Sequence, residues 1–103
     1  MPTVATFEIE YLQFLGPDGK LVRDDLPEFA QDPKNLVELF KDMLFVRAFD
    51  TKAVALQRTG KLGTYASCLG HEATHVGVGA AMRPDDVLAP VYREYGSQLW
   101  RGV

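Results

Sequence analysis

A single cysteine, Cys68, among 103 residues leaves no partner for an internal disulfide and fits a reducing compartment. Basic residues are few and scattered. Eleven Lys and Arg against fourteen Asp and Glu give a net charge of -3 and a pI near 5.2, and no basic stripe forms, which argues against a nucleic-acid surface. No apolar run approaches the roughly 20 residues that span a bilayer. The N-terminal Met1-Pro2-Thr3-Val4-Ala5-Thr6-Phe7-Glu8 has neither a basic flank with a long apolar core nor an Arg-rich amphipathic pattern. No membrane contact and no targeting segment are therefore expected, and a soluble, cytoplasmic chain is. Histidine is scarce as well, with both copies inside one pentapeptide. What remains is an ordinary globular composition, 47% hydrophobic and 24% charged, at the length of one small domain.

The pattern along the chain divides it at about residue 33. Phe7, Ile9 and Tyr11 alternate with Glu8 and Glu10, and Gly16-Pro17-Asp18-Gly19 supplies turn chemistry before Lys20-Leu21-Val22. These residues predict a short hairpin or an extended arm. Residues 23–33, rich in Asp and Pro, read as a connecting loop, so 1–33 form an arm and loop and 34–103 begin an incomplete larger domain. A long helix follows, with Asp32 as entry cap, Pro33 at its first position and Gly60 at its exit. Its apolar residues Leu39, Met43, Val46, Phe49, Ala53 and Leu56 step by three or four, and Leu36, Phe40 and Leu44 widen the stripe to two adjoining faces. Such a helix needs two layers around it, and the chain has little to offer, so a larger protein or a partner is expected to cover the rest.

Two segments carry candidate chemistry. In the first, the apolar run Val87-Leu88-Ala89-Pro90-Val91 reads as a strand giving way to a helix over Ser97-Gln98-Leu99-Trp100-Arg101, with Tyr92 and Arg93 at the junction. A helix N-terminus joined by an Arg fork and a Tyr hydroxyl suits phosphate oxygens; a packed Tyr beside a solvated Arg is the plainer alternative. In the second, His71-Glu72-Ala73-Thr74-His75 matches the H-E-x-x-H pattern of zinc hydrolases, two imidazoles one turn apart with a glutamate to activate water. Gly70 immediately before it, Gly77 and Gly79 after it, and Val78 and Ala81 at the places of the extended motif speak instead for a closely packed scaffold helix starting near Gly70.

Five segments in order carry a resemblance: Arg47-Ala48-Phe49-Asp50, Ala55-Leu56-Gln57-Arg58-Thr59-Gly60-Lys61-Leu62-Gly63, Gly70-His71-Glu72-Ala73, Pro84-Asp85-Asp86-Val87 and Tyr92-Arg93-Glu94-Tyr95-Gly96. Together they resemble the start of the alpha subunit of the thiamine-diphosphate-dependent decarboxylating component of 2-oxo acid dehydrogenases, of the pyruvate or branched-chain type. The likeness runs from about Asn35 to Val103, and residues 7–22 are similar to the N-terminal arm of bacterial members. It implies an α/β thiamine-diphosphate-binding fold of which this piece is the mostly helical beginning.

By that resemblance Tyr92 and Arg93 correspond to residues that hold the diphosphate of thiamine diphosphate, and Thr64, Tyr65 and Ala66 fall where the substrate pocket lies beside the thiazolium. Many relatives have Phe at the Thr64 position and Gln or Glu at that of His71. The G-D-G and Asn ligands of Mg²⁺ have no counterpart here, so the metal ligands are expected outside this chain. The catalytic glutamate of the family comes from the beta subunit, so no catalytic residue is assigned. The implied partners are a beta subunit in an alpha2-beta2 heterotetramer and a lipoyl acyltransferase core. A zinc hydrolase using His71, Glu72 and His75 and a noncatalytic helical interaction module stand as the other readings of the residues.

Overall fold

The computed structural model describes residues 1–103 and forms four helices, α1 (Glu28–Gln31), α2 (Pro33–Arg58), α3 (Glu72–Ala81) and α4 (Tyr95–Trp100). Two units separate by their internal contacts, Met1–Gln31 and Asp32–Val103. In the first, the turn residues close a tight loop: the Gly16 N–H donates to the Lys20 carbonyl at 2.8 Å and the Val22 N–H to that of Phe14 at 3.0 Å. One isolated antiparallel bridge, Leu15 to Leu21, is the only β pairing in the chain. The expected hairpin is thus reduced to this one bridged turn, with residues 1–13 in neither helix nor strand and the Arg23 guanidinium over the Phe14 ring.

The second unit is built on α2. Asp32 accepts the Lys34 N–H at 3.0 Å, and Pro33 enters the first turn, where its missing N–H leaves nothing unpaired. At the far end Gly60 takes φ +73°. That left-handed step lets its N–H reach the Gln57 carbonyl and the Lys61 N–H reach that of Leu56, closing the last turn.

One face of α2 packs inward. Val46, Cys68 and Val76 form the buried centre, with Leu39, Met43, Tyr95, Leu99 and Trp100 against it. α3 and α4 supply the other side and cross closely: a Cβ on Gly96 would lie 2.7 Å from His75 Cβ, and one on Gly79 3.2 Å from the Ser97 carbonyl. The Ser97 hydroxyl donates to the His75 carbonyl at 2.7 Å across the same crossing. Two short helices cover only one side of a 26-residue helix. The second row of its stripe, Leu36, Phe40 and Leu44, with Val37 and Phe45 beside it, stays exposed.

Residues 87–91 depart from the sequence expectation. They are coil, not a strand, because no neighbouring strand offers the hydrogen bonds that would hold one. Val87 is 90% exposed. The loop before them is anchored by Arg101, whose guanidinium donates to the carbonyls of Arg83, Pro84 and Asp86 at 3.1, 3.4 and 2.8 Å.

Candidate functional site

On the inward face of α2 the register Val46, Asp50, Ala53 puts a carboxylate among buried residues. Burial of this kind demands hydrogen bonds, and the loop after α2 provides three. Asp50 Oδ1 accepts the Tyr65 hydroxyl at 2.8 Å and the Cys68 N–H at 2.8 Å, and Oδ2 accepts the Ser67 hydroxyl at 2.7 Å. Burial by itself raises the Asp50 pKa, but the bonds from Ser67, Cys68 and Tyr65 outweigh it and hold the carboxyl below its ordinary range. The same environment acts on its neighbours. Burial, then the Asp50 charge, pushes the Cys68 thiol up to about 11, and burial with the bond to Asp50 raises Tyr65 well above an ordinary phenol.

Tyr65 also stacks on Tyr95, with centroids 5.0 Å apart, and meets Phe49 edge-on at 6.4 Å. The loop is therefore fixed to α2 and to the start of α4. One turn before Asp50 on α2, the Arg47 guanidinium binds Glu72, which is buried at the start of α3, a bond that draws the Glu72 pKa down against burial.

The segment before α4 is arranged by a carboxylate. Glu94 Oε2 accepts the backbone N–H of Val91 at 2.8 Å and of Arg93 at 3.3 Å. α4 begins at Tyr95, so Tyr92 and Arg93 lie before the helix and not in its first turn. They stand at the junction just before α4, where the Val91 and Arg93 amides upstream of the helix already serve Glu94. The Arg93 guanidinium sits 5.0 Å from the Tyr92 ring centroid, and its Nη1 donates to the Ser67 carbonyl at 3.0 Å. That contact engages one of five N–H donors.

A cleft of about 440 Å³ opens here, lined by Thr64, Ala66, Pro90, Val91, Tyr92, Glu94, Tyr95 and Gln98. Of the residues singled out by sequence, Thr64, Ala66 and Tyr92 face this one cleft. Arg93 stands behind Tyr92 and reaches toward the loop, and Tyr65 turns inward to Asp50. Asp50 is the residue that sequence reasoning passes over, although a charge at a buried helical register is itself a signal.

The zinc-hydrolase geometry is not assembled. His71 and His75 rings are 5.2 Å apart, but the glutamate that would face a metal-bound water is held by Arg47. No group of three or more His, Cys, Asp or Glu side chains converges in a way that could hold a metal ion. His75 lies in the α3–α4 crossing with Nδ1 buried and unpartnered. Burial first, then the His71 charge, lowers its pKa.

The family model described as the dehydrogenase E1 component matches residues 40–103. This chain belongs to the dehydrogenase E1 component family. It is 41% identical over 101 residues to the 3-methyl-2-oxobutanoate dehydrogenase subunit alpha of Mycobacterium tuberculosis. It is also 34% identical over 96 residues to the pyruvate dehydrogenase E1 component subunit alpha of Staphylococcus epidermidis. Each alignment takes in 93% of this chain and 26% of the relative, so the chain spans about a quarter of the length of the curated E1 relatives it matches. No solved structure matches it. Both the Asp50 clamp and the cleft lie inside the matched E1 region, and no helix is long and apolar enough to cross a membrane.

Proposed function

We propose that this chain forms part of the alpha subunit of a 2-oxo acid dehydrogenase decarboxylating component, with its cleft receiving thiamine diphosphate. The observation that carries this reading is the meeting of Thr64, Ala66 and Tyr92 on one cleft within the family-matched region. Two donors beside the cleft suit a diphosphate: Tyr92 offers a hydroxyl on its lining, and Arg93, behind Tyr92, keeps a planar fork with donors beyond the one given to Ser67, while Ala66, Pro90 and Val91 offer apolar surface to an organic ring. Thr64 and Ala66 would flank the thiazolium, while Tyr65 between them turns inward to Asp50, and its stack on Tyr95 keeps that side of the cleft in place.

The bound cofactor supplies the electron sink for decarboxylation of the 2-oxo acid. This chain's residues bind and orient it and keep water from its apolar side. Mg²⁺ ligands and the catalytic acid–base belong to the rest of the subunit and to a beta partner in an alpha2-beta2 assembly. The acyl group, from pyruvate or a branched-chain 2-oxo acid, passes to a lipoyl group on an acyltransferase core.

The test uses a full-length alpha subunit paired with its beta partner, with cofactor affinity read by titration calorimetry. Arg93→Ala removes a charge-assisted contact of about 1.5–3 kcal/mol, or roughly one to two decades in affinity. Arg93→Lys keeps the charge but not the fork and loses less, and Tyr92→Phe loses least. Unchanged affinity for Arg93→Ala in a folded heterotetramer would refute the assignment.

A further inference from the structure

The peptide group joining Ser67 to Cys68 is gripped at both ends. Its N–H donates to Asp50 Oδ1 at 2.8 Å, and its carbonyl accepts Arg93 Nη1 at 3.0 Å. No peptide bond in the chain is cis, so this N–H and C=O point in opposite directions, with an anion at one end and a cation at the other. Such an arrangement follows the peptide's own dipole. A carboxylate on the N–H draws electron density toward the oxygen and makes that oxygen a better acceptor for the guanidinium.

The two ends differ in their fixity. Asp50 is 3% exposed and sits on the long helix, and its second oxygen takes the Ser67 hydroxyl at 2.7 Å, which fixes the same residue again. Arg93 is only half-buried and lies in the coil before α4. Its guanidinium donates to the Ser67 carbonyl and lies over the ring of Tyr92, the residue before it, which is 61% exposed. The one hydrogen bond that orients the guanidinium thus ends on a carbonyl that α2 holds in place.

We propose that Asp50 is a positioning residue for Arg93, acting across the Ser67–Cys68 peptide to aim the guanidinium at a phosphate-bearing ligand. The inference rests on the reading of Arg93 as a diphosphate contact. A carboxylate that only fastened the loop would support stability without regard to Arg93. A positioning carboxylate must lose its effect on binding once Arg93 is gone.

That difference is measurable in the full-length alpha subunit assembled with its beta partner. Asp50→Asn keeps size and an acceptor oxygen but removes the charge; Ser67→Ala removes one bond to Asp50 and leaves the backbone carbonyl. Binding is read by calorimetry with thiamine diphosphate, and with inorganic pyrophosphate as a competing probe that carries only the anionic end. The expected loss for both probes is about five- to tenfold for Asp50→Asn and about two- to threefold for Ser67→Ala. In an Arg93→Ala background, Asp50→Asn should add no further loss. If Arg93→Ala weakens binding while Asp50→Asn and Ser67→Ala leave pyrophosphate affinity unchanged, the proposal is overturned. It is overturned equally if the Asp50 and Arg93 losses add in the double variant. If Arg93→Ala alone changes nothing, the diphosphate reading itself has failed, and the proposal falls with it. Should Asp50→Asn not assemble, Ser67→Ala and its double variant with Arg93→Ala decide the same question.

Discussion

Adding one methyl group at Gly96 should destabilise the second unit, and adding one at Gly77 should not. Both glycines lie in helices, Gly96 in α4 and Gly77 in α3, so each Gly→Ala change gains about 1 kcal/mol from helix propensity alone. The surroundings decide the sign. A Cβ at Gly96 would meet His75 Cβ at 2.7 Å with Val46 behind it at 3.4 and 3.5 Å, whereas nothing lies within 4 Å of one at Gly77. The obstructing atom is attached directly to the α3 backbone and cannot swing aside, so relief requires α3 and α4 to part. Parting them stretches the 2.7 Å bond from Ser97 to the His75 carbonyl. Overpacking of this kind costs about 1–3 kcal/mol, and with no side chain able to yield, the upper part of that range applies, so that after the propensity gain a net loss of up to about 2 kcal/mol remains. Gly77→Ala should gain about 0.5–1 kcal/mol. Urea unfolding of the purified protein followed by far-UV circular dichroism measures both, and a Gly96→Ala midpoint equal to or above the wild-type value would refute the packing argument.

Burial depresses the His75 pKa in the folded state, so the unfolded chain takes up the proton first as pH falls. Its contribution to stability is complete above the ordinary histidine value of about 6.5 and is lost as pH drops from there toward the depressed folded value; unfolding free energies measured between pH 8 and 5 should show this slope, and His75→Gln should flatten it. Cys68 is fully buried with its pKa near 11, and the thiolate is the reactive form. At pH 8 the native protein should therefore resist a thiol reagent that labels one equivalent after denaturation. Rapid labelling of the folded chain would contradict the packing of the loop on α2.

The long helix is legible in sequence because its signals agree: a capping Asp32, Pro33 in the first turn, a three-and-four apolar rhythm and Gly60 beyond the end. Which of its two apolar rows turns inward is not legible, since that depends on where α3 and α4 arrive, and they take Val46 while Phe40 and Leu44 stay outside. The apolar run at 87–91 satisfies a strand pattern but lacks a neighbour to pair with, a condition no local pattern can state. Asp50 is visible as a charge between Val46 and Ala53 at a core register. Its partners lie 15 to 18 residues away, and only the return of the loop onto α2 reveals what the charge is for. Tyr92 stands out in sequence through its pairing with Arg93, but its meeting with Thr64 and Ala66 on one cleft, like the reach of Arg93 back to Ser67, joins residues more than 20 apart and appears only in the fold.

The cleft has one stiff wall and one soft one. On the Thr64–Ala66 side, three hydrogen bonds to Asp50 and an aromatic stack leave little freedom. On the other, Pro90 and Val91 belong to coil that is exposed except for a half-buried Leu88, tied near its end by one amide on Glu94. A guest entering between them must organise the soft wall itself, and that ordering is subtracted from what its contacts yield. Binding strength here is thus governed partly by residues that line nothing. Stiffening the backbone at Val87 or Ala89 would tighten the complex with no new contact made, chiefly by slowing the guest's departure.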